Sequence, residues 1–175
     1  YIWNCMNAFA VAVAALISQN YGAHKKKNLM KIFWISMFYE TVVGISLGLF
    51  SFAFRYQLIG LFISRESFTI DGVFLADAFE KAMKVGTTRL TIVGLTYVLD
   101  GYMDVCSFYI RGLGHSKTPT IVTVICVTFL RIFFVVVIWR NVTFFNTLTW
   151  LYWIWPITWT LTIAVYATII PSFNK

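Results

Sequence analysis

Apolar residues gather in five runs, near residues 2–18, 29–53, 89–110, 118–139 and 148–169. At about 20 residues, a run of this kind is long enough to cross a bilayer as a helix. The pattern predicts an all-α integral membrane chain with five transmembrane helices. Between the second and third runs, residues 56–63 are apolar, and residues 73–85 repeat apolar positions at helical spacing with both charge signs. That stretch, 55–85, predicts an amphipathic outer connection holding one or two surface helices.

Composition agrees with the pattern. Hydrophobic residues make up 59% of the chain and charged residues 12%, about half the charged share of an ordinary soluble domain, which is roughly 25%. The net charge of +7 encodes orientation and not a nucleic-acid partner, because of where it sits. The connection around Lys25, Lys26, Lys27 and Lys31, the turn from Arg111 to Lys117 and the end at Lys175 together carry seven Lys or Arg and no acid. The 55–85 connection instead balances Arg55, Arg65, Lys81 and Lys84 against Glu66, Asp71, Asp77 and Glu80. Basic connections stay in the cytoplasm, so the C-terminus is expected to be cytoplasmic, and a multi-pass plasma (inner) membrane protein is expected. Lys25 to Lys27 would contact anionic membrane lipids. Cys5, Cys106 and Cys126 lie in apolar runs without paired ligand spacing, so they read as buried packing residues with no metal and no disulfide. The chain opens on Tyr1 inside an apolar run, as expected of a piece of a longer protein.

The costly residues are the acids. Tyr97, Asp100, Asp104, Ser107 and Arg111 follow spacings of three, four, three and four, which sets them along one helical face. Thr120, Thr123, Thr128 and Arg131 form a broader stripe in the next run, and Ser36, Glu40, Gly44 and Ser51 a weaker one in the second. Gly44 and Gly48 also make a Gly-x-x-x-Gly close-approach motif. Counting about 1.5 Å per residue, Asp100 lies roughly 15 Å from the basic end of its helix, Asp104 about 9 Å, Arg131 about 19 Å and Glu40 about 16 Å. Three acids against one Arg leave an excess of negative charge in hydrocarbon, so at least one of Asp100, Asp104 and Glu40 is expected to hold a proton or a cation. The competing assignment is structural. Arg131 would pair with Asp104 to fix helix register, Asp100 would be the acid left without a counter-charge, and Glu40 would reach backbone or Ser groups.

Several local motifs carry a resemblance. Met6-Asn7-Ala8-Phe9, followed by Ser18-Gln19-Asn20-Tyr21-Gly22-Ala23-His24-Lys25, resembles the N-A-F and G-Q-N-x-G-A-x-K signature of the multidrug and toxic compound extrusion (MATE) family, with Ser18 in place of the first Gly. Gly101-Tyr102-Met103-Asp104-Val105, then Arg111-Gly112-Leu113-Gly114 and Thr118-Pro119, is similar to the family's later G-x-x-x-V and L-R-G-L-G-x-x-x-x-P pattern. Leu130-Arg131 and Trp155-Pro156-Ile157-Thr158-Trp159 resemble its last two helices.

The resemblance implies a two-bundle transporter of twelve helices, of which this chain would supply helices eight to twelve. The N-terminal bundle would belong to the same polypeptide. It implies export of small cationic or amphipathic compounds by antiport with sodium ions or protons, with no cofactor beyond the coupling ion. Asp100 and Asp104 would stand on the helix where such transporters often carry a coupling acid, and Arg131 would oppose protonation of whichever acid it pairs. Gly22 and the Gly112/Gly114 turn would give sharp reversals. Two other readings stand beside it: a lipid-linked saccharide flippase of related architecture, and an inactive or structural membrane fragment. An enzyme is not expected, because His24 and His115 lie in loops without a metal-ligand partner.

Overall fold

The computed structural model describes residues 2–63, 68–70 and 73–173. The chain is almost wholly helical: α1 (Ile2–Gly22), α2 (Lys26–Ala53), α3 (Arg55–Gly60), α4 (Ala76–Gly112), α5 (Lys117–Thr123), α6 (Leu130–Phe133) and α7 (Leu148–Phe173). A two-residue antiparallel pair, β1 (Thr69–Ile70) and β2 (Val73–Phe74), precedes α4. Wider π-type turns at Val124–Phe129 and Phe134–Trp139 join α5 and α6 into one rod, Lys117–Trp139.

Among the described residues, three helices are long and apolar enough to cross a membrane: Lys26–Ala53, Lys117–Trp139 and Leu148–Phe173. α4 is long enough but carries Arg89, Asp100, Asp104 and Arg111 within its apolar part. Many large apolar side chains point outward, among them Trp34 at 64% and Phe38 at 65% exposed, the surface expected where lipid or another helix replaces water.

α4 is the central element, packed against α1, α2 and α7. The core lies toward one end of it, where Tyr109 and Ile110 are fully buried among Ile17, Leu29, Phe33 and Tyr166. Tyr109 sets its ring edge-on to Phe33 at 5.1 Å. Gly112 packs so tightly on Ile17 and Ala14 that a Cβ there would lie 2.8 Å from Ile17. His115 meets Phe173 at 4.6 Å between ring centres. These contacts bring the Lys25–Lys27 turn, the Arg111–Lys117 turn and the end of α7 to one end of the bundle. Lys175 itself, and Arg65, Glu66 and Asp71 of the charge-balanced connection, fall outside the described residues.

Both basic turns are built alike. After α4, His115 N–H donates to Ile110 O at 3.2 Å and Gly114 N–H to Arg111 O at 2.9 Å, with Gly114 at φ 89°. After α1, Lys25 N–H donates to Asn20 O at 2.9 Å and His24 N–H to Tyr21 O at 3.0 Å, with His24 at φ 57°. Each is a Schellman closure, in which one left-handed residue lets the last carbonyls of a helix find donors. The reversal expected at Gly22 therefore turns on His24, two residues later. Gly112 holds the position equivalent to Gly22, inside the helix, and serves packing; of the three glycines only Gly114 makes a turn. Asn20 fastens the first turn, donating to Leu16 O at 2.9 Å and accepting from Asn28 at 3.2 Å. Gln19 contributes its backbone carbonyl to Ala23 N–H at 3.1 Å.

The 55–85 connection also differs from expectation. α3 covers only Arg55–Gly60, and residues 76–85 are not a separate surface helix but the start of α4. At 37 residues, α4 runs about 55 Å, well beyond hydrocarbon thickness. Asp77 in its first turn and Arg111 in its last complement the helix dipole at both ends, which favours one continuous helix. Among the cysteines, Cys106 is buried, Cys126 is half-buried and Cys5 is exposed on α1, where it lines a cavity. The threonine stripe also divides: Thr123 meets the Tyr166 hydroxyl at 3.2 Å, while Thr120 and Thr128 point outward.

Candidate functional site

Glu40, Gly44, Gly48 and Ser51 form the buried face of α2. The glycines allow α2 to lie on α4 at close range: a Cβ on Gly48 would stand 2.9 Å from the Gly94 carbonyl, and one on Gly44 2.9 Å from Val98. One turn toward the basic end, Glu40 reaches α4 at Gly101, where the missing side chain leaves a notch. A methyl group there would collide with Glu40 Oε1 and Cγ and would come within 2.7 Å of the Met6 methyl. Thr41 and Tyr102 fix the same register through a 2.6 Å hydroxyl–hydroxyl bond.

Glu40 thus meets α4 at Gly101, one residue after Asp100 and three before Asp104. Its exposure is 0%, and neither carboxyl oxygen has a hydrogen-bond partner among the described residues. Asp100 is buried at 6% exposure, Asp104 is half-buried, and the fields of both reach Glu40. Among the described residues, no three His, Cys, Asp or Glu side chains converge to hold a metal ion.

Arg131 stands elsewhere. Its Nε–H donates to Thr158 Oγ1 at 3.1 Å, its guanidinium lies 3.9 Å over the Trp155 ring, and Trp159 is 5.9 Å away. Thr158 is fully buried, and its hydroxyl donates a hydrogen bond to Trp155 O at 2.9 Å. The ion pair of Arg131 with Asp104 does not form. α6 packs on α7 and α7 on α4, and the guanidinium is held on the Trp155 face of α7. The Arg131 field reaches Asp100, whereas Asp104 feels Arg111. Tyr97 completes an aromatic wall, 5.8 Å from Trp159, which stands 6.1 Å from Trp155.

Two cavities border this wall. One of about 310 Å³ is lined by Arg89, Arg131, Tyr152 and Trp155. The other, about 420 Å³ and mostly apolar, lies beside Tyr97, Ser51 and Cys5. Chemically, the site pairs buried carboxyl groups able to exchange protons or cations with aromatic faces that attract organic cations.

A family model, MatE, matches residues 1–137. The chain belongs to the MatE family. Comparison with curated proteins and with solved structures gives no match. MatE proteins are membrane transporters and not enzymes, and the matched residues include Glu40, Asp100, Gly101, Asp104 and Arg131. α7, which supplies Trp155, Thr158 and Trp159, lies beyond them.

The remaining motif residues of this MatE chain lie elsewhere on the bundle. Asn7 is half-buried on α1; Arg111 is exposed and stacks on Phe108 at 5.0 Å; the Pro119 carbonyl accepts from Tyr166 at 3.2 Å. Pro156 is buried inside α7, where it lacks the N–H of a normal helical turn. Met6, Gly101 and Thr158 figure in the sequence only as motif positions, and the structure adds them to the site. Trp155, Thr158 and Trp159 at intervals of three and four share a helical face, and that spacing was the available signal.

Proposed function

We propose that this MatE chain is the larger part of the C-terminal bundle of a secondary transporter that exports cationic or amphipathic compounds in exchange for sodium ions or protons. Its five long helical rods, α1, α2, α4, Lys117–Trp139 and α7, are taken as membrane spans in the plasma membrane, with both basic turns and the C-terminus in the cytoplasm. The N-terminal bundle is supplied by the same polypeptide. Glu40, Asp100 and Asp104 are the coupling acids, and Arg131 tunes Asp100 from the Trp155 face of α7.

The observation that carries this reading is the buried Glu40 carboxyl group laid on α4 at Gly101, which follows Asp100 and precedes Asp104 in the chain, with Asp100 one turn from Tyr97 and its tryptophan neighbours. A carboxyl group there can hold either a coupling ion or the positive charge of a drug, not both. Exclusive occupancy converts ion entry into drug release. The apolar cavity beside Tyr97 suits the hydrophobic body of such a compound.

The test uses the full-length protein in sealed vesicles loaded with a lipophilic cationic dye. Under an imposed sodium or proton gradient, Asp100→Asn and Asp104→Asn are each expected to slow ion-driven efflux about tenfold or more, a barrier change of ~1.4 kcal/mol. Unchanged coupling in both variants at equal expression would rule the assignment out.

A further inference from the structure

We propose that Glu40 is a proton-holding residue of the transport cycle, carrying a proton whenever α2 lies against α4 and leaving the Gly101 notch when that proton is lost. The inference rests on the transporter reading above and names the ion at one of its acids.

Three observations converge on it. First, both Glu40 carboxyl oxygens are buried without a hydrogen-bond partner among the described residues. An ionised carboxylate is not left bare in a dry interior, because the lost hydration must be replaced by donors or a counter-charge. A neutral carboxyl group tolerates such a place far better. Second, the ionisable groups facing it are of the wrong sign. α4 presents Asp100 and Asp104, with Tyr102 engaged by Thr41, and α1 presents the Met6 methyl. Third, the notch is closed on the α1 side by the Met6 methyl, and among the described residues no three His, Cys, Asp or Glu side chains are placed to hold a metal ion. Met6 is 1% exposed, and its methyl abuts the Cβ positions of both Gly101 and Gly44. Sodium sheds its water only where several oxygens replace it, whereas a proton needs one carboxyl oxygen.

The consequence is mechanical. Gly44, Gly48 and Gly101 together allow the close approach of α2 and α4, and Glu40 fits this seam only when neutral. Ionisation requires water or a cation at the carboxylate, and neither has room while the seam is shut. Loss of the proton therefore loosens α2 from α4 at the level of Asp100 and Asp104, exposing those acids together.

The experiment compares wild type, Glu40→Gln, Glu40→Met and Asp104→Asn as full-length proteins in proteoliposomes, with efflux driven by a proton gradient in the absence of sodium. Infrared difference spectra after a pH jump supply a second readout. Wild type is expected to lose a neutral-carboxyl C=O band on the jump, a band missing from both Glu40 variants. Either neutral variant should keep the wild-type melting temperature and lose proton-driven efflux by about tenfold or more. If a folded Glu40→Gln or Glu40→Met retains full proton-driven efflux, or retains the band, the proposal is overturned. Should Asp104→Asn abolish coupling in that same case, the transporter reading survives and only the role of Glu40 falls. Absence of any ion-driven efflux from wild type overturns both.

Discussion

His24 holds the left-handed position in the first basic turn that Gly114 holds in the second. A side chain in that conformation costs roughly 1–2 kcal/mol, so His24→Gly is expected to raise stability by about that amount, read as a higher melting temperature in detergent. Gly114→Ala should lower it comparably. At Gly101 the constraint is steric, because Glu40 and Met6 already fill the space of a Cβ. Overpacking of this kind costs ~1–3 kcal/mol, and Gly101→Ala should lose stability and coupled transport together. Thr158→Val removes the acceptor of Arg131 Nε while its Nη2 is already buried without a partner. A second unpaired donor costs ~1–3 kcal/mol. Arg131→Lys should lose the flat stack on Trp155, for which an ammonium is a poor substitute; an efflux assay with that variant should give slowed coupling with the protein still folded.

Among the elements, α2 and α4 form the seam on which the site depends. A Cβ at Gly48 would press on the Gly94 carbonyl, which is backbone and cannot swing aside. Gly48→Ala is therefore expected to part the two helices and to destabilise by ~1–3 kcal/mol, and a distance label on each helix should report the separation directly. The acids at this seam were legible in the sequence, since carboxylates in an apolar run stand out wherever the helix faces. Their company was less so. Spacing placed Asp100 and Asp104 on one face of α4, but nothing in it could say that Arg131 would stack on Trp155 and bond Thr158 of α7. The Glu40 notch was hidden for a related reason, since a glycine between two aspartates gains meaning only when another helix is laid across it. The length of α4 was missed because residues 76–88 mix charges with apolar positions, a pattern shared by a surface helix and by the projecting end of a long one. The π-type turns flanking Leu130–Phe133 have no glycine or proline within them to announce them.

Across the whole molecule, the basic connections could be read before any packing was known, because lysine and arginine report membrane side independently of helix contacts. The structure brings the Lys25–Lys27 turn, the Arg111–Lys117 turn and the end of α7 to one end, and the proposed orientation sets that end in the cytoplasm. Single-cysteine variants His24→Cys and His115→Cys, on a cysteine-free background, should then react with a membrane-impermeant thiol reagent only from the cytoplasmic side. Phe144→Cys should react only from the other. Any of these three labelling from the wrong side would invert the assignment. The central claim, that Glu40, Asp100 and Asp104 tie substrate movement to ion movement, is tested most directly with no imposed ion gradient. A cationic substrate is placed on one side of vesicles holding the purified full-length protein, and the counter-movement of protons or sodium is recorded. Coupled exchange predicts ion flow opposite to the substrate, lost when Asp100→Asn and Asp104→Asn are combined. Substrate crossing with no ion movement, or wild-type ion movement in the double variant, would contradict it.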